Sequence, residues 1–157
     1  MRDTGYLGII GIIGGILMIV GVFLNWIYID VYLTEIDLTG WEVFDEWRDT
    51  IGLKYAVVPL LALICGILVF IMMTACTFDN KIKYWKTNMV LCWATIILSV
   101  ILIIYSILFA TKEWDFRIIT IRLYKYLDIG FWMTMVGSIA ALLGGFVPII
   151  KSRRRGE

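Results

Sequence analysis

Four long apolar runs divide the chain, at about 6–28, 55–74, 88–110 and 129–150, and none contains Asp, Glu, Lys or Arg. Each exceeds the roughly 18 apolar residues that mark a helix able to cross a bilayer. The pattern therefore predicts four transmembrane helices in a single domain. The first run carries Gly8, Gly11, Gly14, Gly15 and Gly21, and the last carries Gly130, Gly137, Gly144 and Gly145. Gly11 and Gly15 form a GxxxG pair, and Gly137, Ala141 and Gly145 place a small residue at every fourth position, a spacing that lets helices approach closely in lipid. Packing inside one bundle is the expected use of these rows, with a homodimer seam as the alternative. The two middle runs are dominated by Leu, Ile, Val and Met and are expected to face more lipid. Pro59 should kink the second run, and Pro148 should help to end the fourth.

Between the runs the period changes. Ile29, Val31 and Leu33 alternate with Tyr28, Asp30 and Tyr32, which reads as a strand. A second alternation through Ile36 and Leu38 predicts a hairpin turning near Thr34 and Glu35. Beyond Gly40, the residues Val43, Phe44, Trp47 and Ile51 fall at helical spacing, with Asp45, Glu46, Arg48 and Asp49 facing away. A short amphipathic helix on the membrane surface fits that pattern. In the later long loop, alternation runs from Phe116 to Tyr126 and predicts one strand. Its bases complement the acids of the first loop, and a lone hairpin is only marginally stable in water. The expected fold is thus membrane all-α: a four-transmembrane-helix bundle with a small extracellular β-sheet formed by the first and second outer loops, about 29–54 and 111–128.

Composition supports a lipid solvent, since 61% of the 157 residues are hydrophobic and the mean hydropathy is +0.90. Charge sets the expected orientation. With the amino terminus inside, Arg2, Lys81, Lys83, Lys86, Lys151, Arg153, Arg154 and Arg155 lie in three short cytoplasmic stretches. Arg48, Lys54, Lys112, Arg117, Arg122 and Lys125 spread over longer outer loops, the bias expected when cytoplasmic loops are positive. The expected location is the plasma membrane, multi-pass, with both termini cytoplasmic and the first run an uncleaved anchor. The basic tail should meet anionic headgroups, not nucleic acid.

Reactive chemistry is sparse in the pattern. Cys65, Cys76 and Cys92 lie within or near the predicted spans, there is no CxxC pair, and the chain has no histidine. The acids Asp30, Glu35, Asp37, Glu42, Asp45, Glu46 and Asp49 match no calcium-loop spacing. No catalytic, cofactor or metal site is expected, and no enzyme. A transporter should carry ionisable groups at membrane depth. The runs instead offer hydroxyls, which are expected to bond to their own helices. Trp26, Tyr28, Tyr55, Tyr84, Trp85, Trp114, Tyr126, Phe131 and Trp132 should form the interfacial aromatic belt. The leading expectation is a non-enzymatic scaffold or interaction protein that presents Tyr32, Trp41, Phe44 and Trp47 to a protein partner or a second copy. A helper subunit of a larger membrane complex, or a small transporter, is the alternative.

Four helices, a long β-containing first outer loop, a short inner loop and a shorter strand-bearing second outer loop are together similar to the claudin layout. The residues that carry the resemblance are Trp26, Gly40-Trp41 and Trp47, although the Leu of the claudin Gly-Leu-Trp step and the two loop cysteines are absent. The chain also resembles small prokaryotic four-helix proteins whose first loop ends in a Gly-Trp-acidic step, here Gly40, Trp41 and Glu42, and whose last helix opens with Gly-aromatic. Both resemblances imply the layout.

Overall fold

The first apolar run folds as two elements, not one. The computed structural model describes residues 5–31, 34–45, 52–78, 85–116 and 119–155; in it helix α1 covers Gly5–Val22 and strand β1 covers Asn25–Val31. A tight last turn ends α1, with Phe23 N–H donating to Val20 O at 3.1 Å and Leu24 N–H to Gly21 O at 3.3 Å. The expectation of a helix as far as 28 is corrected. Trp26, Ile27 and Ile29 are buried strand residues, so hydropathy alone does not register the change of element.

Strand β2 covers Thr34–Thr39 and leads directly into helix α2, Gly40–Asp45. The three remaining long helices are α3 (Leu53–Phe78), α4 (Trp85–Ala110) and α5 (Ile129–Arg155). Between α4 and α5 lie strands β3 (Glu113–Phe116) and β4 (Ile119–Arg122) and a single 3-10 turn, Leu123–Lys125. Among the described residues, three helices are long and apolar enough to cross a membrane: Leu53–Thr77, Met89–Ala110 and Ile129–Phe146. The apolar part of α1, Gly8–Val22, is shorter. At 1.5 Å per residue, α3 is about 39 Å long, more than a hydrocarbon core of about 30 Å requires. Both prolines lie inside continuous helices. Pro148 does not end α5, which runs on to Arg155. A proline removes one backbone bond, and such losses are tolerated in a long helix supported by neighbours.

The long helices form a ring in the order α1, α3, α4, α5, each packing on the next and barely touching the one across. Small residues set the closest approaches. A methyl group on Gly14 would stand 2.6 Å from Gly137 O and from Ala141 N, and one on Gly15 would stand 2.8 Å from Phe70 N. Gly145 faces Ile96 and the Cys92 carbonyl on α4. The interior is filled by Met18, Val22, Val58, Ala62, Cys65, Val69, Met73, Leu102, Phe109 and Ala141, with the hydroxyls of Thr95, Ser99, Ser106, Thr134 and Ser138 also buried. Three of these bond to their own helix: Thr95 to Leu91 O, Thr134 to Gly130 O and Ser138 to Thr134 O.

The β-structure departs from the expected three-stranded sheet. Strands β1 and β2 pair as one antiparallel ribbon and β3 and β4 as another. The first ribbon's last pair is Val31 with Thr34, earlier in the chain than the expected turn at Thr34 and Glu35. The second ribbon pairs Phe116 with Ile119, so the alternation across 116–126 is a hairpin followed by a 3-10 turn, not one strand. Period-two alternation survives a tight reversal, which is why the pattern hid it. The two loops nevertheless meet, because Ile27 and Leu127 form an antiparallel bridge. Tyr28 N–H donates to Tyr126 O and Asp128 N–H to Trp26 O, both at 2.9 Å.

Candidate functional site

Trp26 organises the end of the bundle where both loops meet. The residue follows the end of α1, and its indole N–H turns back to donate to Gly21 O at 2.8 Å. Its ring meets Phe109 from the end of α4 and Phe131 from the start of α5 edge-on, at 5.7 and 5.6 Å between centroids. Edge-to-face contacts of this kind are favourable because a ring's positive edge meets a negative face. Trp26 is fully buried and Phe131 nearly so. Their expected place in the headgroup belt is therefore corrected for these two residues, whereas Trp132 is exposed. Gly40 makes room for the indole, and Gly130 for the backbone at the end of α1. A methyl group on Gly40 would lie 2.7 Å from Trp26 Nε1 and from Val22 O, and one on Gly130 would lie 2.6 Å from Gly21 O.

From Gly40 the chain runs straight into α2, held by a reciprocal cap. Glu42 Oε2 accepts from Thr39 N–H at 2.8 Å and from the Thr39 hydroxyl at 2.9 Å, while Glu42 N–H donates to Thr39 Oγ1 at 3.3 Å. This T-x-x-E box satisfies orphan amides at both ends of the motif. It explains the Gly-Trp-acidic step physically: Gly40 clears Trp26, and Glu42 closes the cap. The short helix packs on α3 through buried Val43, which leaves Trp41 44% exposed and Phe44 half-buried beside it. The two rings lie 5.9 Å apart at a 53° tilt.

The hairpin's outer face is acidic. Ile27, Ile29 and Leu38 point inward, and Tyr28, Asp30, Glu35 and Asp37 point outward. Register sets Asp30 opposite Glu35 and Tyr28 opposite Asp37. Like charges directly opposite weaken a strand pair. The Tyr28 phenol registers this field: Glu35 does most to raise its pKa, followed by desolvation and then by Asp30, Asp37 and Asp128. Asp128 also caps α5, accepting from Ile129 N–H at 2.7 Å. On the other side of the loops, Lys112 Nζ lies 5.2 Å from the centre of the Tyr55 ring, a cation–π contact tying the second loop to α3.

Of the four aromatics expected to present a contact surface, Trp41 and Phe44 come together, and Tyr32 and Trp47 lie outside the described residues. The expected packing residues are distributed within the ring: Gly11 and Gly15 face α3, Gly137 and Ala141 face α1, and Gly145 faces α4. Sequence reasoning missed the Thr39–Glu42 cap, although the T-x-x-E spacing announces it. It also missed the approach of Cys92 Sγ to Cys76 Sγ, 3.9 Å, which depends on how α3 and α4 pair. Among the described residues, no group of three or more His, Cys, Asp or Glu is placed to hold a metal ion. Comparison with family models, with curated proteins and with solved structures finds no match.

Proposed function

We propose that the chain is a non-enzymatic interaction protein of the plasma membrane that crosses the bilayer four times and presents its outer end to a protein partner or to a second copy of itself. What supports the fourth crossing is the course of α1. It runs antiparallel to both neighbours, with Gly8 against Thr77 at the far end of the α3 span and Gly21 against Gly130 at the first turn of α5. Helix α1 thus covers the same depth as helices long enough to span, and its 18 residues rise about 27 Å. The positive bias of the short stretches supports an orientation with both termini in the cytoplasm.

The observation that carries the interaction reading is the Trp41–Phe44 pair. A reciprocal cap, a glycine fitted against Trp26 and a buried Val43 hold these two rings at the surface, beside an acidic hairpin face. Rigidly held aromatics with charged surroundings are typical anchors of protein contacts. A photo-crosslinking phenylalanine analogue in place of Trp41, activated in intact membranes, tests this. The expected result is a protein adduct, either with a second copy or with a distinct partner; adducts with lipid alone would return Trp41 to the headgroup belt and defeat the reading.

A further inference from the structure

The pairing of α3 with α4 brings two thiols together at the end of the bundle opposite the loops. Cys92 is fully buried on α4 and Cys76 is partly exposed near the end of α3, with Sγ to Sγ 3.9 Å. One helical turn deeper the same interface continues with Thr95 Oγ1 at 3.8 Å from Met72 Sδ. Sulfur thus takes part in the contact between the helices at both levels. The third cysteine, Cys65, is buried higher on α3 and takes no part in this contact.

We propose that Cys76 and Cys92 form a reversible inter-helix disulfide by exchange with a small-molecule disulfide. Exposure sets the order of events. The Cys76 thiolate attacks the incoming disulfide and releases one small thiol, leaving a mixed disulfide on Cys76. The Cys92 sulfur then attacks the Cys76 sulfur and releases the second small thiol. The two cysteines lose two electrons and two protons together, and the incoming disulfide gains both as it becomes two thiols. The sulfurs must close by about 1.9 Å to reach a bond length of about 2.0 Å. The product joins α3 to α4 covalently across the 79–84 connection. On the cytoplasmic side such a bond is transient and reports an oxidising excursion. The chemistry is independent of the interaction surface at the opposite end, so failure of either leaves the other standing.

The test uses the full chain in detergent, reduced and then exposed to oxidised glutathione or, in parallel, to the smaller and more membrane-permeant dithiodipyridine. In the denatured product, maleimide-reactive thiols should fall from three to one, with Cys65 retained and the peptides carrying Cys76 and Cys92 linked. Dithiothreitol should restore all three. Cys92→Ser should stop at a stable mixed disulfide on Cys76, and Cys76→Ser should leave Cys92 unreacted by glutathione. The proposal is overturned if, with both oxidants, all three thiols persist, or if wild type stops at the mixed disulfide as Cys92→Ser does.

Discussion

Replacing Trp26 with phenylalanine keeps an aromatic ring near Phe109 and Phe131 but removes the indole N–H that donates to Gly21 O. We expect Trp26→Phe to lower stability by about 1–2 kcal/mol, the range of a lost buried hydrogen bond with modest repacking, and Trp26→Ala by about 3–5 kcal/mol. Unfolding midpoints in detergent check both, and a Trp26→Ala midpoint equal to wild type would contradict the organising role of Trp26. Tyr28 gives a pH prediction. Its phenol titrates above 10.0, chiefly because of Glu35, so Glu35→Gln should move the midpoint down toward 10.0. The neutral phenol is the form the fold favours. Its contribution to stability is therefore complete below the unfolded pKa and is lost as pH rises through the raised folded value. Ultraviolet difference titration against Tyr28→Phe isolates this group, and an unmoved midpoint in Glu35→Gln would refute the assigned cause. At this scale the sequence was partly readable. The alternation around Tyr28 and Asp30 marked an outward face, whereas the Thr39–Glu42 cap was missed although its T-x-x-E spacing is local. The burial of Trp26 was not readable, because Gly40, Phe109 and Phe131 close over it from separate parts of the chain.

The helices were legible as apolar runs, and their limits were not. Helices α3 and α5 run beyond the apolar windows to Phe78 and Arg155, since a helix needs hydrogen bonds and not apolar side chains to continue. Helix α1 stops short of its window because the next apolar residues pair as a strand. The glycine rows carried real spatial information: Gly14 and Gly21, seven apart, meet Gly137 and Gly130, also seven apart, as two antiparallel helices with a common repeat should. A methyl group added at Gly137 would lie 2.7 Å from Gly14 O and 2.9 Å from Met18 N, both backbone atoms that cannot rotate away. Gly137→Ala should therefore force α1 and α5 apart and cost about 1–3 kcal/mol, the usual penalty of overpacking. Val136→Ala, at a neighbouring position 55% exposed on the outer face, is the control and should stay within about 0.5 kcal/mol. Equal thermal shifts for the two variants would count against close packing at Gly137.

For the molecule as a whole, the pattern foretold lipid-spanning helices and two structured loops at one end. It did not foretell how the loops join. A backbone bridge at Ile27 and Leu127, flanked by two hydrogen bonds, puts the segment before α5 beside β1, while the second hairpin stands as its own ribbon. That junction depends on where α5 begins relative to Trp26, a relation between segments about one hundred residues apart that no local period encodes. It also requires both loops to lie on one side of the membrane. Single cysteines at Thr39, Thr111 and Ser152, in a background lacking Cys65, Cys76 and Cys92, test most directly the proposed topology of four crossings with both loops outside. With an impermeant maleimide applied to intact cells, Thr39→Cys and Thr111→Cys should both label, and Ser152→Cys should label only after permeabilisation. Labelling of Thr39→Cys and Thr111→Cys from opposite sides, or of Ser152→Cys alone in intact cells, would contradict it.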